Sequence, residues 1–433
     1  MVKKTYIKND GKKALLELEV IRHESKKLYF PITSARCRSG ICCVDDGCDV
    51  KVGELIGERV GPFFKIPIHS TVSGVFLPRE KMVDETGKKV ECMVVENDQK
   101  YQLDDYMVER TDEEISNFTK EDFVKIVQEA GIVGLGGAAF PTYVKLDTDK
   151  EINVVVGNGI ECEPFMISDY MMMMDYPEKV IQGMLYVLQS SKAPKGIIAI
   201  KGKHHQLYQR LTAVLAEQFP DAPVEIKKIG SHYPEGWEIE TVKYATGIEV
   251  PQGKILADYG VLNFNVTTLK AIYDAVKYNR PITEKYVTIS GDGIKNGSFL
   301  VKVGTPVKEL IDLLGGYQNL EIPKLIIQGG PMMGVNTLSD DIVVTDTTSS
   351  IIINNRALEI ESEPCIRCGE CVRSCPVLLE PITIYNALGF KDVDKIINLE
   401  ANRCIDCGIC SYVCPSKIPL TESMAKAKKL IAK

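Results

Sequence analysis

Near its C-terminus the chain writes one cysteine pattern twice. Cys365, Cys368, Cys371 and Cys375 precede Pro376, and Cys404, Cys407, Cys410 and Cys414 precede Pro415, so each block reads C-x2-C-x2-C-x3-C-P. No other feature restricts the fold as strongly, because eight thiolates must be gathered around two centres. The spacing is that of a paired [4Fe–4S] module: three close thiolates wrap one corner of a cubane cluster, and the fourth, carried away by its proline turn, reaches the neighbouring cluster. By that rule Cys365, Cys368, Cys371 and Cys414 hold one cluster, and Cys404, Cys407, Cys410 and Cys375 the other. Zinc spacing pairs two C-x2-C units across a longer loop, and a third cysteine at the same short step leaves an excess ligand. Two clusters mean one-electron wiring.

The rest of the composition restricts the setting. The 433 residues suffice for about three domains as a soft prior. With 45% hydrophobic and 26% charged residues, the chain reads as an ordinary globular one. The formal charge of −7 is diffuse, which argues against a nucleic-acid partner and against a polybasic membrane anchor. The basic start, MVKKTYIKNDGKK, lacks an apolar h-region. No apolar run approaches the roughly 18 residues of a spanning helix, so no integral membrane segment is expected. The expected location is the cytoplasm, with peripheral docking at the inner face of the cell membrane left open. In that setting the fourteen cysteines read as metal ligands and redox groups rather than disulfides.

Along the chain the texture changes four times. The first 110 or so residues place glycines at short intervals among β-branched residues, as in Val50-Lys51-Val52-Gly53 and Val72-Ser73-Gly74-Val75, and predict a small β-barrel or sandwich. Its V-x-x-G rhythm resembles a lipoyl-type hairpin module without a lysine at the carrier turn, hence a docking platform. A polar stretch, Arg110 to Glu114, predicts the start of a helix with Phe118, Phe123, Ile126 and Val127 on its apolar face. Val154-Val155-Val156, a helix around Val180 to Leu188, and Gly196 to Ile200 predict an α/β layer with a parallel sheet. Two strands, 287–291 and 299–304, followed by a helix from Val307 to Leu314 predict a β-grasp-like unit, with Thr305 as N-cap and Pro306 as first helical residue. Ile351-Ile352-Ile353 reads as a buried strand, and Ala425 to Lys433 as a solvated terminal helix.

Four segments upstream of the cysteines have the composition of a ligand site. Gly131 to Thr142 is the most glycine-dense, letting backbone N–H groups approach an anion, although a tight loop packed under a sheet would read alike. Asn158 to Pro164 follows a predicted strand, where open α/β sheets bind ligands. Glu161 and Glu163 alternate there, so one is placed to bond a ribose or nicotinamide amide while the other packs or caps; a solvated acidic turn is the alternative. Tyr233 to Glu238 holds the only tryptophan, and Leu262 to Thr268 is the fourth.

Taken in order, G-L-G-G-A-A-F-P-T-Y-V-K-L (134–146), N-G-I-E-C-E-P (158–164), Y-P-E-G-W-E (233–238), N-V-T-T-L (265–269), G-G-P-M-M-G (329–334) and the two cysteine blocks resemble the NADH-oxidising subunit of respiratory complex I, and more closely the C subunit of the Rnf electron-transport complex. The resemblance covers nearly the whole chain. It implies a multidomain α/β and α+β fold: a barrel-sandwich hybrid over 1–115, an FMN- and NADH-binding domain like the complex I 51-kDa subunit over 116–278, a soluble-ligand-binding β-grasp domain over 279–350, and a dicluster ferredoxin-type domain over 351–433. It implies FMN contacts from Gly136, Gly137, Ala138, Lys145, Asn158, Glu161 and Asn265, with Glu163 and Glu238 near the nicotinamide nucleotide. The activity implied is NADH oxidation through FMN and two [4Fe–4S] clusters to a protein acceptor.

The sequence also departs from that pattern. Arg36-Cys37-Arg38-Ser39-Gly40-Ile41-Cys42-Cys43 stands where a histidine-bearing stretch is usual, Cys48 replaces an acidic turn residue, and Met171 to Met174 replace a charged one. These differences resemble the branch that supplies electrons to D-proline reductase, which makes that enzyme the expected acceptor. The alternatives are the C subunit of a membrane-bound Rnf complex among its membrane subunits and, in another class, a flavin-free electron-transfer adaptor. The arginines flanking Cys37 favour a reactive thiolate there, with Cys42 or Cys43 as redox partner; small buried hydrophobes are the alternative. Cys162 and the methionine run read as packing.

Overall fold

The computed structural model describes residues 2–8, 10–355 and 361–432. Its first unit follows from glycine-punctuated alternation. Strands Lys27–Pro31, Lys89–Asn97, Gly74–Val83 and Asp49–Val50 form an antiparallel sheet, and Ser39–Cys42, Leu55–Val60 and Lys65–His69 a second. Leu28, Phe30, Ile56, Ile68, Phe76, Met93 and Val95 from both sheets fill the space between them, the arrangement of a sandwich.

In the second unit the two central strands, Val154–Gly159 and Gly196–Lys201, are buried on both faces, as parallel strands inside a sheet are. Val224–Ile229, Gly196–Lys201, Val154–Gly159 and Val261–Asn265 pair in that order, all parallel. Val155, Ile198 and Ile200 face one core and Val156, Ile197 and Ala199 the other. Helices Pro177–Ser191 and Val266–Tyr278 pack against the first face, and Glu238–Thr246 against the second. Where one helix is expected near residue 118 there are two, Asp112–Ser116 and Lys120–Glu129, because Thr111 and Thr119 each build a capping box that starts a new helix. Met172 and Met173 are core, as the packing reading expects.

The third unit is a six-stranded mixed sheet carrying helix Val307–Leu313. Pro306, not Thr305, is the N-cap, and the Thr305 hydroxyl is buried without a hydrogen-bond partner. Strand Ser350–Asn355 lies inside this sheet, parallel to Glu284–Ser290. At its edge strand Val20–His23 pairs in parallel with Gly297–Lys302. The barrel is tied to this unit by Arg59, which is buried and pairs with Asp346 at 3.1 Å, and by Thr71, whose hydroxyl donates to the Val303 carbonyl.

The cysteine unit is built twice on one plan. Gly369 and Gly408 both adopt left-handed conformations (φ 73° and 76°) before short helices Glu370–Arg373 and Ile409–Tyr412. Arg367 and Asp406 also have positive φ, and so do Leu378 and Lys417, each pair at the same offset as the cysteine blocks. The terminal helix, Leu420–Ile431, is not a solvated appendage: Leu420, Met424 and Ala427 are buried, because its apolar residues recur at helical spacing and pack on this unit.

Candidate functional site

One of the two exchanged sets comes together around a single cavity. That cavity is lined by Cys375 from the first block and Cys404, Cys407 and Cys410 from the second, with Leu379, Ile405, Ile409 and Met424 around them. Cys371, in turn, is influenced electrostatically by Cys414 and Cys368. Backbone N–H groups point at sulfur: Arg367 to Cys365 and Asp406 to Cys404, both at 3.4 Å, and Leu379 to Cys375 at 3.3 Å. Burial pushes the Cys404 and Cys407 thiols up to about 12, so thiolates there require a cationic partner. Iron supplies that charge and deprotonates its ligands. The donor set, its dry lining and its N–H···S bonds therefore fit [4Fe–4S] clusters. The two sites differ in exposure: Cys407 and Cys375 are buried, while Cys365 faces solvent.

The second centre is the cleft at the C-terminal edge of the parallel sheet. Asn158 and Asn265 end adjacent strands and are register partners. Gly136 sits so close to Asn265 that a Cβ would lie 2.7 Å from its Nδ2, while the missing Cβ of Gly137 (φ +99°) points into open space. Gly136, Gly137 and Ala138 are exposed. Lys145 donates to the Asn263 carbonyl at 3.3 Å and lies 3.6 Å from Glu238. Asn158 donates to the Gly236 carbonyl at 3.0 Å. An open glycine cradle with a lysine and two amides fits a phosphate-bearing ring system such as FMN.

The loop is held from beneath by residues from several segments, only some of them in the motifs quoted above. The Leu135 N–H donates to the Thr268 hydroxyl oxygen at 3.0 Å, and the Leu135 carbonyl accepts from buried Lys285 at 3.1 Å. The Arg36 guanidinium donates twice to the Ala138 carbonyl, both at 3.2 Å. Asp169 accepts from Asn265 and the Thr267 hydroxyl, each at 2.7 Å, and burial beside Glu161 raises its carboxyl to about 6. Nothing nearby in the chain marks Lys285, since it comes from another unit.

Three expectations are corrected. The Glu161 carboxylate does not face the cleft: it accepts from Ser168 Oγ and from the Asp169 and Tyr170 N–H groups at 3.0 to 3.2 Å, capping helix Ser168–Asp175, whose orphan N–H groups need an acceptor. The Glu163 carboxylate is engaged between units, Oε1 accepting from the Tyr233 hydroxyl and Oε2 from the Met332 N–H, both at 3.0 Å. Cys37 is fully buried in the core shared with the flavin-type domain, and burial raises its thiol, while Arg36 turns to Ala138. Its supposed partner Cys42 packs in the separate core of the barrel, its Sγ donating to the Val44 carbonyl; Cys43 is exposed, and desolvation raises its thiol too. Cys162 packs, as expected, against the sheet and the cluster unit.

Comparison with known proteins follows this layout. The RnfC barrel sandwich hybrid domain matches residues 7–100, the Nuo51 FMN-binding domain residues 127–274 and a 4Fe-4S dicluster domain residues 357–415. The chain thus carries an FMN-binding domain and a dicluster module. The C subunit of the Na(+)-translocating ferredoxin:NAD(+) oxidoreductase complex of Acetobacterium woodii is 35% identical over 79% of this chain and 76% of its own length. The C subunit of the proton-translocating ferredoxin:NAD(+) oxidoreductase complex of Clostridium ljungdahlii is 34% identical over 85% and 79%. The C subunit of the ion-translocating oxidoreductase complex of Vibrio cholerae is 32% identical over 82% of this chain but only 46% of its own. An NAD+-reducing [NiFe]-hydrogenase in the H2-reduced state shares the fold, with a TM-score of 0.50 at 18% identity over 73% of this chain and 63% of that one. The chain belongs to the family of C subunits of the ion-translocating Rnf oxidoreductase complexes.

Proposed function

We propose that this chain exchanges electrons between a nicotinamide nucleotide at its flavin cleft and a protein partner at its clusters, as the C subunit of an Rnf-type assembly. The observation that carries this is a shared core: Tyr233 and Cys162, from two cleft motifs, pack with Cys407 and Ile409 of the buried cluster site. FMN, when bound, converts a two-electron hydride into single electrons that the clusters accept one at a time. For the chain's own part, Gly136, Gly137 and Ala138 offer backbone groups, Asn158 and Asn265 orient the ligand, Lys145 supplies positive charge, and Glu238 lines the nucleotide side. The more buried cysteine set, which packs with the cleft motifs, would hold the cluster nearer the flavin, and the set with exposed Cys365 would hold the one nearer solvent.

The Acetobacterium and Clostridium relatives belong to ferredoxin:NAD(+) oxidoreductase complexes, which favours Rnf subunits over D-proline reductase as the electron-transfer partner, in either direction of flow. Among the described residues no helix is long and apolar enough to cross a membrane, so attachment there would run through partner subunits. The deciding experiment is an anaerobic NADH titration of the purified chain, following flavin and cluster absorbance together. Bleaching of both is expected; clusters that bleach with dithionite but never with NADH would overturn the reading. Acid extraction that releases no flavin from protein with intact clusters would favour the adaptor instead.

A further inference from the structure

One loop of the β-grasp unit, residues 329–334, lies between the flavin-type domain and the second cysteine block. We propose that Glu163 is a positioning residue for electron transfer: its carboxylate locks this loop, and through it the Cys407–Gly408 turn, onto the flavin-type domain. This rests on the flavin-to-cluster route given above.

Each carboxylate oxygen leads in one further contact to the cluster turn. Oε2 accepts from Met332 N–H at 3.0 Å, and the other side of Met332 touches Gly408 so closely that a Cβ on that glycine would lie 2.8 Å from the Met332 carbonyl. Oε1 accepts from the Tyr233 hydroxyl at 3.0 Å, and Tyr233 packs with Cys407 and Ile409. The loop is fitted to this acid: a Cβ on Gly330 would lie 2.0 Å from Oε2. Charge-assisted bonds of this kind fix geometry as well as supply energy. Moving the cluster turn away from the flavin-type domain would lengthen the path an electron must cross and slow its transfer. Glutamine retains one acceptor for Met332 and offers its amide N–H to the tyrosine oxygen, whereas alanine offers neither.

The test uses protein loaded with FMN and both clusters. In E163A, stopped-flow flavin reduction by NADH and its concentration dependence should stay unchanged from the wild type, while the subsequent flavin-to-cluster phase slows several-fold. The EPR spectrum of one dithionite-reduced cluster should change, and E163Q should restore both. Y233F, which removes a single bond, should give an intermediate effect and serves if E163A does not fold. A slower first phase or a raised NADH requirement, with the second phase and the spectrum unchanged, would overturn the proposal and return Glu163 to the nicotinamide. Wild-type behaviour of E163A in every readout would overturn it as well. If NADH fails to reduce the wild-type flavin, the nucleotide reading fails, and the EPR comparison still decides the role of Glu163.

Discussion

At the residue scale, the fourth cysteine of each block has the most specific role. Because Cys375 lines the cavity of the second block, Cys375→Ser should remove the cluster held by Cys404, Cys407 and Cys410 and spare the other. Iron analysis should fall from about eight to about four per chain, with the more exposed cluster's EPR signal retained. Loss of the exposed cluster instead would contradict the exchanged pairing. A second residue sets a pH response. His204 is buried against the Tyr170 ring, and burial, reinforced by Lys12, Lys201 and Lys203, lowers its imidazole to about 3, against an ordinary 6.5. The folded state therefore binds that proton less readily than the unfolded chain. Its contribution is complete above about pH 6.5 and is lost as pH falls toward 3. His204→Gln should flatten the fall in Tm between about pH 6.5 and about pH 4.5, measured by circular dichroism; an unchanged slope would show that His204 does not titrate this way.

At the scale of elements, helix packing explains a glycine that helix propensity disfavours. Gly183 lies inside helix Pro177–Ser191, where alanine would ordinarily gain about 0.5–1 kcal/mol. Here a Cβ would lie 2.0 Å from the Leu269 carbonyl of helix Val266–Tyr278, a backbone atom that cannot rotate away. Gly183→Ala should therefore cost about 1–3 kcal/mol, read from the urea midpoint. Thr119→Ala, which removes a capping box on helix Lys120–Glu129, should cost about 1 kcal/mol in the same assay. The Thr119 signal was local and readable, since a threonine followed three residues later by Asp122 marks a helix start. The Gly183 contact was not, because its partner lies on a helix far along the chain and nothing in the local pattern names it.

At the scale of the whole molecule, the first residues act as a strap joining the cluster unit to the flavin-type domain. The Lys3 N–H donates to the Arg373 carbonyl, Thr5 bridges Tyr233, the Lys8 N–H donates to the Tyr412 hydroxyl, and the buried Lys12 donates to the Glu161 and Met166 carbonyls. Trp237 packs against the cluster unit, and Arg403 bonds Gln252, completing the seam. Deleting residues 2–8 should leave both clusters in place yet loosen the cluster unit from the flavin-type domain. Faster proteolysis between the units, with unchanged iron content, would report this; an unchanged digestion pattern would show that the strap is dispensable. The fold class, the parallel sheet, the β-grasp helix and the dicluster module were all legible, because each rests on short-range spacing of residue types. The strap, the edge strand Val20–His23 and Lys285 beneath the flavin loop were not, since each joins segments far apart in the chain.

By itself, the sequence determined that eight cysteines form two four-ligand sets and that glycine-rich and amide-bearing turns stand at strand ends, since ligand chemistry and backbone freedom are properties of residues at fixed short spacing. Only the tertiary structure decided which acidic side chains remain available. Glu161 and Glu163 look equivalent in the sequence, but one is drawn to a helix N-terminus and the other to a loop of a different unit. Likewise the arginines beside Cys37 promised a thiolate, and burial took it away. A carboxylate or thiol is defined chemically by its partners and its access to water, and those are set by packing across the chain rather than by its neighbours along it.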